Sequence, residues 1–350
     1  MDLELSRVLT AHAKRYPLMR PCDGVKLLFQ NELGGGHLIC DPAASLERLR
    51  TEWAAVPRDP SAPLAEDIGN GMVRVMLAAV REDELEVLNA DFIRSARRRI
   101  GDRTVFRQKL ETLRALARQG AFGFSPAELE GYLTGYFAAD CPPASHSPEY
   151  RAAYRPAYRV VERRASRHLL LRELEALRDQ GRRAIVAIDG RCASGKTTLA
   201  AELQARYGFA VVHMDHFFLR PEQRTPERYA QPGGNVDYER VLAEVLEPLR
   251  RGETVEYRPF DCQSGALSAP VRLEPSPVVV VEGSYSCCPA LWDCYDLRVF
   301  LTVEPEEQLR RLTEREGDYV RTFQERWIPL EERYFSACRV EERCGWVLEL

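Results

Sequence analysis

The residues best suited to chemistry lie between Gly190 and Thr198, where the chain reads Gly-Arg-Cys-Ala-Ser-Gly-Lys-Thr-Thr and matches the pattern G-x-x-x-x-G-K-[ST]. Glycines in such a loop let backbone N–H groups wrap closely round a triphosphate, assisted by the positive end of the following helix. Lys196 adds a charge for the β- and γ-phosphates, and the Thr197 hydroxyl can ligate Mg²⁺. We therefore predict a site for ATP and Mg²⁺ with these nucleotide-binding residues: Gly190, Ala193, Ser194, Gly195, Lys196, Thr197 and Thr198.

The sequence on either side of this loop supports the prediction. Residues 184–188 read Ala-Ile-Val-Ala-Ile, a short apolar run typical of a buried strand. Residues 199–203 read Leu-Ala-Ala-Glu-Leu, which is typical of a helix. The loop therefore stands at a strand-to-helix turn, the context in which the pattern has its chemical meaning.

Further motifs occur in the second half of the chain. Residues 213–218 read His-Met-Asp-His-Phe-Phe, residues 278–283 read Val-Val-Val-Val-Glu-Gly, and residues 297–301 read Leu-Arg-Val-Phe-Leu. In order and spacing they resemble the D-x-F-[YF], V-x-x-E-G and D-x-x-[IV]-F elements of the uridine kinase-like P-loop kinases, whose relatives act on pantothenate, ribulose phosphate and nicotinamide riboside. The resemblance covers about half of the chain, from residue 184 to residue 350.

The resemblance implies that Asp215 is a general base or an orienting carboxylate for the attacking hydroxyl, since it follows a strand next to the phosphate loop. An ordinary helix cap or an outer ligand of Mg²⁺ is the alternative. Glu282 follows four valines and stands at the carboxyl end of a buried strand, where open α/β sheets form their sites. We predict that Glu282 orients Mg²⁺ or its water shell, and a salt bridge to an arginine is the alternative.

An arginine-rich segment at residues 308–317 resembles the helix and lid with which these kinases cover the phosphates. Arg310, Arg311 and Arg315 cannot all face the same way on a helix. Arg311 and Arg315 are four residues apart and share a face, so we predict that this pair stabilises charge on the transferring group.

The acceptor side matches the family less well. Residues 257–264 resemble its hairpin but contain no histidine, and Phe218 stands where a tyrosine is expected. These departures argue against uridine itself. Asp237 lies about where the family places a carboxylate that holds a sugar diol, although a glycine turn followed by a helix cap explains the same text. The predicted substrate-binding residues are Asp215, Phe218 and Asp237.

Two classes of function follow from these motifs. The first is a small-molecule kinase that phosphorylates a hydroxyl of a nucleoside or a similar sugar-like alcohol, with a pantothenate- or phosphoribulose-type kinase as the alternative acceptor class. The second is a non-enzymatic regulator, in which ATP bound to the second half changes what the first half binds.

These residues need a framework of alternating strands and helices. Short apolar runs at residues 184–188, 210–213, 278–281 and 297–303, with a further one at residues 346–350, predict a mainly parallel sheet. The predicted fold class is a three-layer α/β P-loop NTPase domain at residues 165–350. A connector at residues 141–164, rich in proline and tyrosine, separates it from a first domain at residues 1–140.

The first domain is predicted to be mainly α-helical. Apolar residues recur at three- and four-residue steps, as in Phe106, Leu110 and Leu113. Asp41-Pro42 and Ser125-Pro126 each supply a cap and a first-turn proline, and both predict helix starts.

Two polar clusters interrupt this domain, at residues 30–37 and 66–71. Turns with capping polar groups are the favoured interpretation. The alternative is a metal or effector site built from Glu32, His37, Glu66 and Asp67. No family of known activity is assigned to this half.

Composition narrows the choice of partners. The chain has 350 residues, a formal net charge of −4 and a pI near 6.0, so it lacks the positive field that gathers nucleic acid or anionic membrane. The ten cysteines show no C-x-x-C pairing, which argues against a zinc ribbon. We find no signal-peptide pattern and no long apolar stretch, so we expect a cytoplasmic protein, with a homo-oligomer left open.

Overall fold

The computed structural model describes residues 2–36, 41–59, 61–99 and 101–350. The chain divides into two compact units, Met1–Leu169 and Leu170–Leu350. The division falls close to residue 165, where the sequence predicts the second domain to begin. Each unit has its own apolar core.

The first unit is mainly helical, with a small antiparallel sheet of strand order β1-β2-β3. Its helices are α1 Leu3–Arg15, α2 Pro21–Leu33, α3 Pro42–Ala54, α4 Leu85–Arg98, α5 Arg103–Arg118, α6 Pro126–Ala138 and α7 Pro148–Tyr154. Its strands are β1 Ala65–Gly69, β2 Met72–Met76 and β3 Tyr158–Glu162. The segment 141–164, predicted as a connector, thus supplies α7 and β3 to this unit.

Helix starts in this unit lie where the sequence predicts them. Asp41 caps α3 by accepting a hydrogen bond from the Ala44 N–H, and Ser125 forms a capping box with Glu128 at the start of α6. Along α5, the apolar side chains at three- and four-residue spacing are buried in the core, among them Phe106 and Leu110.

The sheet of the first unit was not predicted. Gly69, Asn70 and Gly71 all have positive φ, at 78°, 57° and 72°, and they form the tight turn between β1 and β2. An Asn-Gly pair between two runs that contain apolar residues is a known hairpin signal. The interpretation of residues 66–71 as a turn is therefore right only for Asn70 and Gly71, because residues 66–69 belong to β1, which was missed together with β2 and β3.

The second unit is an α/β domain, and helix α8 Arg167–Arg178 contains the point of division. Its strands are β4 Ala184–Gly190, β5 Ala210–His213, β6 Glu256–Tyr257, β7 Phe260–Asp261, β8 Ala266–Leu267, β9 Val271–Arg272, β10 Val278–Glu282, β11 Leu297–Thr302 and β12 Trp346–Glu349. Its further helices are α9 Lys196–Tyr207, α10 Pro226–Ala230, α11 Tyr238–Arg240, α12 Glu247–Arg250, α13 Pro305–Glu316, α14 Val320–Thr322, α15 Ile328–Cys338 and α16 Val340–Arg343, and π-helical turns lie at Val241–Leu246 and Phe323–Trp327.

The main sheet of this unit is parallel, with strand order β12-β11-β4-β10-β5. Every residue of the central strand β4 is buried, as expected for a parallel strand that is covered on both faces. Register pairs Glu282 of β10 with Ile188 of β4 and with His213 of β5. The carboxyl ends of these three strands therefore meet at one edge, next to the loop that follows β4.

All five predicted strands of the second unit are present, so the predicted fold class is confirmed. In the described ranges, no helix combines the length and the apolar character needed to cross a membrane.

Candidate active site

The phosphate loop joins β4 to α9 in a conformation that depends on its glycines. Gly190 has a φ of 136°, and a Cβ there would lie 2.0 Å from the carbonyl oxygen of Leu301 on β11. Gly195 has a φ of 95° and caps the start of α9. Both positions suit glycine, because L side chains rarely adopt such φ values and no room exists beside Gly190.

Side chains from later elements hold the outer side of this loop. Arg191 forms ion pairs with Glu332 at 2.7 Å and Glu341 at 3.3 Å, and its guanidinium also donates to the Thr302 hydroxyl at 2.8 Å. The Cys192 N–H donates to the Glu331 carboxylate at 2.9 Å. These contacts fix the loop in advance of any ligand.

The inner side of the loop is suited to phosphate. The Lys196 ammonium donates to the carbonyl oxygens of Gly190 at 2.7 Å and Arg191 at 2.8 Å, and it lies on the cavity wall. Ser194 is fully buried, and within the described part of the chain its hydroxyl has no hydrogen-bond partner. The Ser194 hydroxyl, which lacks a partner there, and the Lys196 ammonium, which is hydrogen-bonded to its own loop, both lie beside the N-terminus of α9. This arrangement fits a polyphosphate group.

Next to the loop, Thr197 and Glu282 form an oxygen-rich pair. The Thr197 hydroxyl lies 3.3 Å from both carboxylate oxygens of Glu282. The His213 Nδ1 lies 2.5 Å from Glu282 Oε1, and this hydrogen bond raises the pKa of the His213 imidazole. Hydroxyl and carboxylate oxygens are the donors that Mg²⁺ prefers, so the residues present fit that ion.

Asp215 lies in the short 3₁₀ turn that follows β5, and its side chain is exposed on the cavity wall. The surrounding protein raises the pKa of this carboxyl by desolvation, and the negative charge of Glu282 raises it further. The positive charges of Lys196 and Arg315 act in the opposite direction. Asp215 forms no hydrogen bond or ion pair with any residue that the structure describes.

The structure also shows a carboxylate that the sequence analysis missed. Asp189 is fully buried at the end of β4, where it accepts hydrogen bonds from the N–H groups of Tyr285 at 3.1 Å and Cys287 at 2.8 Å and from the Tyr334 hydroxyl at 2.8 Å. Burial raises the pKa of Asp189 to about 6. It ties β4 to the loop after β10. An acid at the end of an apolar strand, the signal used for Glu282, could have found it.

The arginines of α13 lie on different faces of the helix, as their spacing predicts. Arg311 and Arg315 line the cavity, whereas Arg310 is exposed and pairs with Glu307 and Glu314. Arg311 donates to the carbonyl oxygens of Ala193 at 3.2 Å and Leu350 at 2.8 Å. It therefore touches the phosphate loop directly.

A cavity of about 960 Å³ lies over these groups. Its wall includes Asp215, Phe218, Glu282, the two arginines of α13 and these residues of the loop: Cys192, Ala193, Gly195, Lys196, Thr197 and Thr198. Of the predicted nucleotide-binding residues, Gly190 and Ser194 do not line it. Further residues come from elements that sequence reasoning did not single out: Leu219, Arg224, Tyr229, Asn235, Tyr285, Tyr319, Phe323, Arg326 and Trp327. The cavity is large enough for a second molecule besides a nucleotide tail.

Asp237 does not line this cavity. Its carboxylate accepts a hydrogen bond from the Arg240 N–H at 3.2 Å, which caps α11, and another from the Gln223 side chain at 2.7 Å. The glycine turn at Gly233 and Gly234 leads the chain into this cap. Of the two interpretations of Asp237, the helix cap is the one that the geometry supports.

The two polar clusters of the first unit meet, since the Asn70 side chain donates to the Glu32 carboxylate at 3.2 Å. Lys109 already pairs with Glu32 at 2.6 Å, and Glu66 is held by His12 and Tyr16. Within the described ranges, no three His, Cys, Asp or Glu side chains group as metal ligands. His37 lies outside the described residues.

The fold and the loop make the second unit a P-loop domain. Among solved structures the chain is similar to a possible uridine kinase from Bacillus stearothermophilus, with 20% identity, a TM-score of 0.38, and coverage of 51% of this chain and 100% of that one. It is also similar to TT1252 from Thermus thermophilus, with 22% identity, a TM-score of 0.27, and coverage of 48% and 90%.

A third similar structure is the shikimate kinase from Bacteroides thetaiotaomicron, with 16% identity, a TM-score of 0.25, and coverage of 47% of this chain and 85% of that one. At such identities the likeness is one of fold alone. No protein-family model matches the chain, and no curated protein matches it significantly.

Proposed function

We propose that the second unit is a kinase that transfers the γ-phosphoryl group of ATP to a hydroxyl of a small molecule, in the manner of the uridine kinase-like enzymes. The observation that carries the proposal is the position of Asp215. This carboxylate has no partner among the described residues, faces the cavity, and interacts electrostatically with Lys196 of the phosphate loop. A carboxylate in that position can accept the proton of an attacking hydroxyl.

The transfer is a single in-line displacement. The acceptor oxygen forms a bond to the γ-phosphorus while the bond from that phosphorus to the β–γ bridging oxygen breaks, and ADP leaves with the electron pair. The hydroxyl proton passes to Asp215 and then to solvent. The products are ADP and a phosphate monoester, so atoms and charge balance without a phosphorylated protein intermediate.

The remaining residues position the nucleotide and stabilise the charge of the transferring group. Lys196 and the N–H groups at the start of α9 hold the β- and γ-phosphates. Thr197 and Glu282 would hold Mg²⁺, which when bound neutralises charge on the phosphate oxygens. Arg311 and Arg315 stabilise the charge that develops on the transferring group.

An acceptor screen tests the proposal. The full chain is incubated with Mg²⁺ and ATP against nucleosides, sugar alcohols, vitamins and pantothenate, with Lys196→Ala as the blank, and mass spectrometry identifies any phosphate ester. We expect one acceptor class to be phosphorylated by the wild type alone. Tight ATP binding with slow hydrolysis and no ester in any reaction would contradict the proposal and favour an ATP-dependent regulator.

A further inference from the structure

Two arginines on the cavity wall, Arg224 and Arg326, have no acidic partner among the described residues. Arg224 uses its Nε–H on the Leu219 carbonyl at 2.9 Å, and its guanidinium carbon lies 5.8 Å from the centre of the Phe260 ring. Arg326 lies 5.6 Å from the centre of the Tyr229 ring and 4.6 Å from that of Trp327. Neither guanidinium pairs with a carboxylate in the part of the chain that the structure describes.

Other arginines nearby are neutralised by acids. Arg228, on the same segment as Arg224, pairs with Glu239 at 2.6 Å, and Arg240 pairs with Glu244 at 2.7 Å. Arg224 and Arg326 therefore present positive charge and free N–H donors to the cavity, where an anion can take them up.

These two arginines belong to the acceptor side of the site. Arg224 and Asp215 line the cavity together with Cys262, which lies on the hairpin of β7 and β8. The charges of Arg224 and Asp215 both act on the pKa of the Cys262 thiol, in opposite directions, which agrees with a position of Arg224 on the side of the proposed base. Arg326 lies on the same wall, since its guanidinium packs over the ring of Tyr229 of α10 and both residues line the cavity. Since in-line transfer requires the acceptor hydroxyl to lie at Asp215, a molecule attacking from there extends along this wall.

We infer that the acceptor alcohol carries a carboxylate or a phosphate group, which Arg224 and Arg326 bind while aromatic side chains flank its body. This inference rests on the proposed kinase function and narrows its acceptor to an anionic alcohol. The aromatic residues beside the arginines on the wall are Phe218, Tyr229, Phe323 and Trp327. A planar guanidinium stacked on a ring keeps its edge free for two parallel hydrogen bonds to such an anion.

Matched pairs of alcohols test the inference on the full chain: glycerate against glycerol, pantothenate against pantothenol, and ribulose 5-phosphate against ribulose. We expect the charged member of at least one pair to be phosphorylated with a kcat/KM at least 100-fold above that of its neutral partner. Arg224→Gln and Arg326→Gln should each raise the KM for the charged acceptor about 10- to 100-fold, as expected for a lost charge-assisted hydrogen bond, and leave the KM for ATP within twofold.

Arg251→Gln is the matched control, because Arg251 is exposed and lies off the cavity, where it pairs with Glu253. Equal use of charged and neutral alcohols would overturn the inference, and so would an increased KM for ATP in place of the acceptor KM. A binding measurement distinguishes failure of the anion inference from failure of the kinase proposal. If no alcohol is phosphorylated, calorimetric titration of the three anions into the protein with MgADP decides. Binding that is lost in Arg224→Gln upholds the anion site without the transfer, whereas no binding, or binding that is unchanged in Arg224→Gln, overturns the anion site.

Discussion

The Thr197 hydroxyl lies 3.3 Å from each carboxylate oxygen of Glu282. Thr197 belongs to the first turn of α9 and Glu282 is the last residue of β10, so the sheet brings together groups that are far apart in sequence. The parallel pairing of β10 with β4, with Glu282 opposite Ile188, sets this distance. A cation beside the phosphate loop would meet both residues.

Replacement of Glu282 should therefore change the dependence of activity on Mg²⁺. In Glu282→Gln we expect the Mg²⁺ concentration for half-maximal velocity to rise about tenfold or more, because a neutral amide is a weaker ligand than a carboxylate. The measurement is velocity against free Mg²⁺ at fixed ATP, with Glu274→Gln, an exposed residue off the cavity, as the control. An unchanged Mg²⁺ dependence would leave Glu282 with the His213 hydrogen bond as its role.

Asp215 should matter for the chemical step more than for ATP binding. We expect Asp215→Asn to lower kcat by about 10²- to 10⁴-fold, the usual contribution of a positioned base, and to leave the KM for ATP within threefold. Its thermal stability should match that of the wild type, since Asp215 makes no hydrogen bond to any described residue. Steady-state kinetics checks this, with Asp293→Asn, an exposed residue off the cavity, as the control. A fully active Asp215→Asn enzyme would exclude the assignment.

Two glycines that flank α9 offer a steric comparison. Gly190 and Gly208 both have positive φ, at 136° and 68°, but a Cβ at Gly190 would lie 2.0 Å from the Leu301 oxygen, whereas none of the neighbouring atoms lies within 4 Å at Gly208. Gly208→Ala should lower the free energy of unfolding by about 1–2 kcal/mol, the backbone strain alone. Gly190→Ala should cost several-fold more, because β4 and β11 must also separate. Urea unfolding measures both, and equal losses would contradict this explanation.

Stability of the first unit should depend on pH through His146. Its Nδ1 lies 2.8 Å from an Asp23 oxygen, and the Tyr158 hydroxyl lies 2.7 Å from its Nε2, so the neutral ring can satisfy both contacts. Burial lowers the pKa of His146 to about 4 in the folded chain. Because the unfolded chain takes up the proton near pH 6.5, folding is favoured above that pH and loses about 3 kcal/mol as the pH falls to about 4.

Scanning calorimetry between pH 7.5 and pH 4 measures this dependence. His146→Gln should be less stable at neutral pH and should lose less stability on acidification than the wild type. Tyr158→Phe is the comparison variant, because it removes the contacts of the Tyr158 hydroxyl with His146 and Gln30 but keeps the titrating ring. An undiminished pH dependence in His146→Gln would assign the acid sensitivity to other groups.

Several features of the first unit show why its helix starts could be predicted from the sequence and its sheet could not. Caps at Asp41 and Ser125 are local signals, so the starts of α3 and α6 could be predicted. The sheet could not, because β2 pairs with β3, which follows only after the four helices α4 to α7. Arg74 is buried in β2 against the ring of Tyr158. A charged residue thus occupies a position where the pattern of a buried strand predicts an apolar one.

The candidate site divides in the same way. The phosphate loop, the strands around it and the split between exposed Arg310 and the cavity-lining pair Arg311 and Arg315 follow from short-range pattern, and the structure shows each of them. Their catalytic roles remain predictions. Asp237, predicted to bind substrate, caps a helix instead of lining the cavity.

The sequence alone determined the loop and the β-rich runs, because each depends on residues a few positions apart that fix backbone conformation locally. Only the tertiary structure decided which acid serves which purpose. Asp189 is buried and accepts hydrogen bonds from the loop after β10, Asp215 faces the cavity, and Glu282 contacts the Thr197 hydroxyl. Strand order and register set these positions, and both arise from pairing between distant segments, which local pattern does not encode.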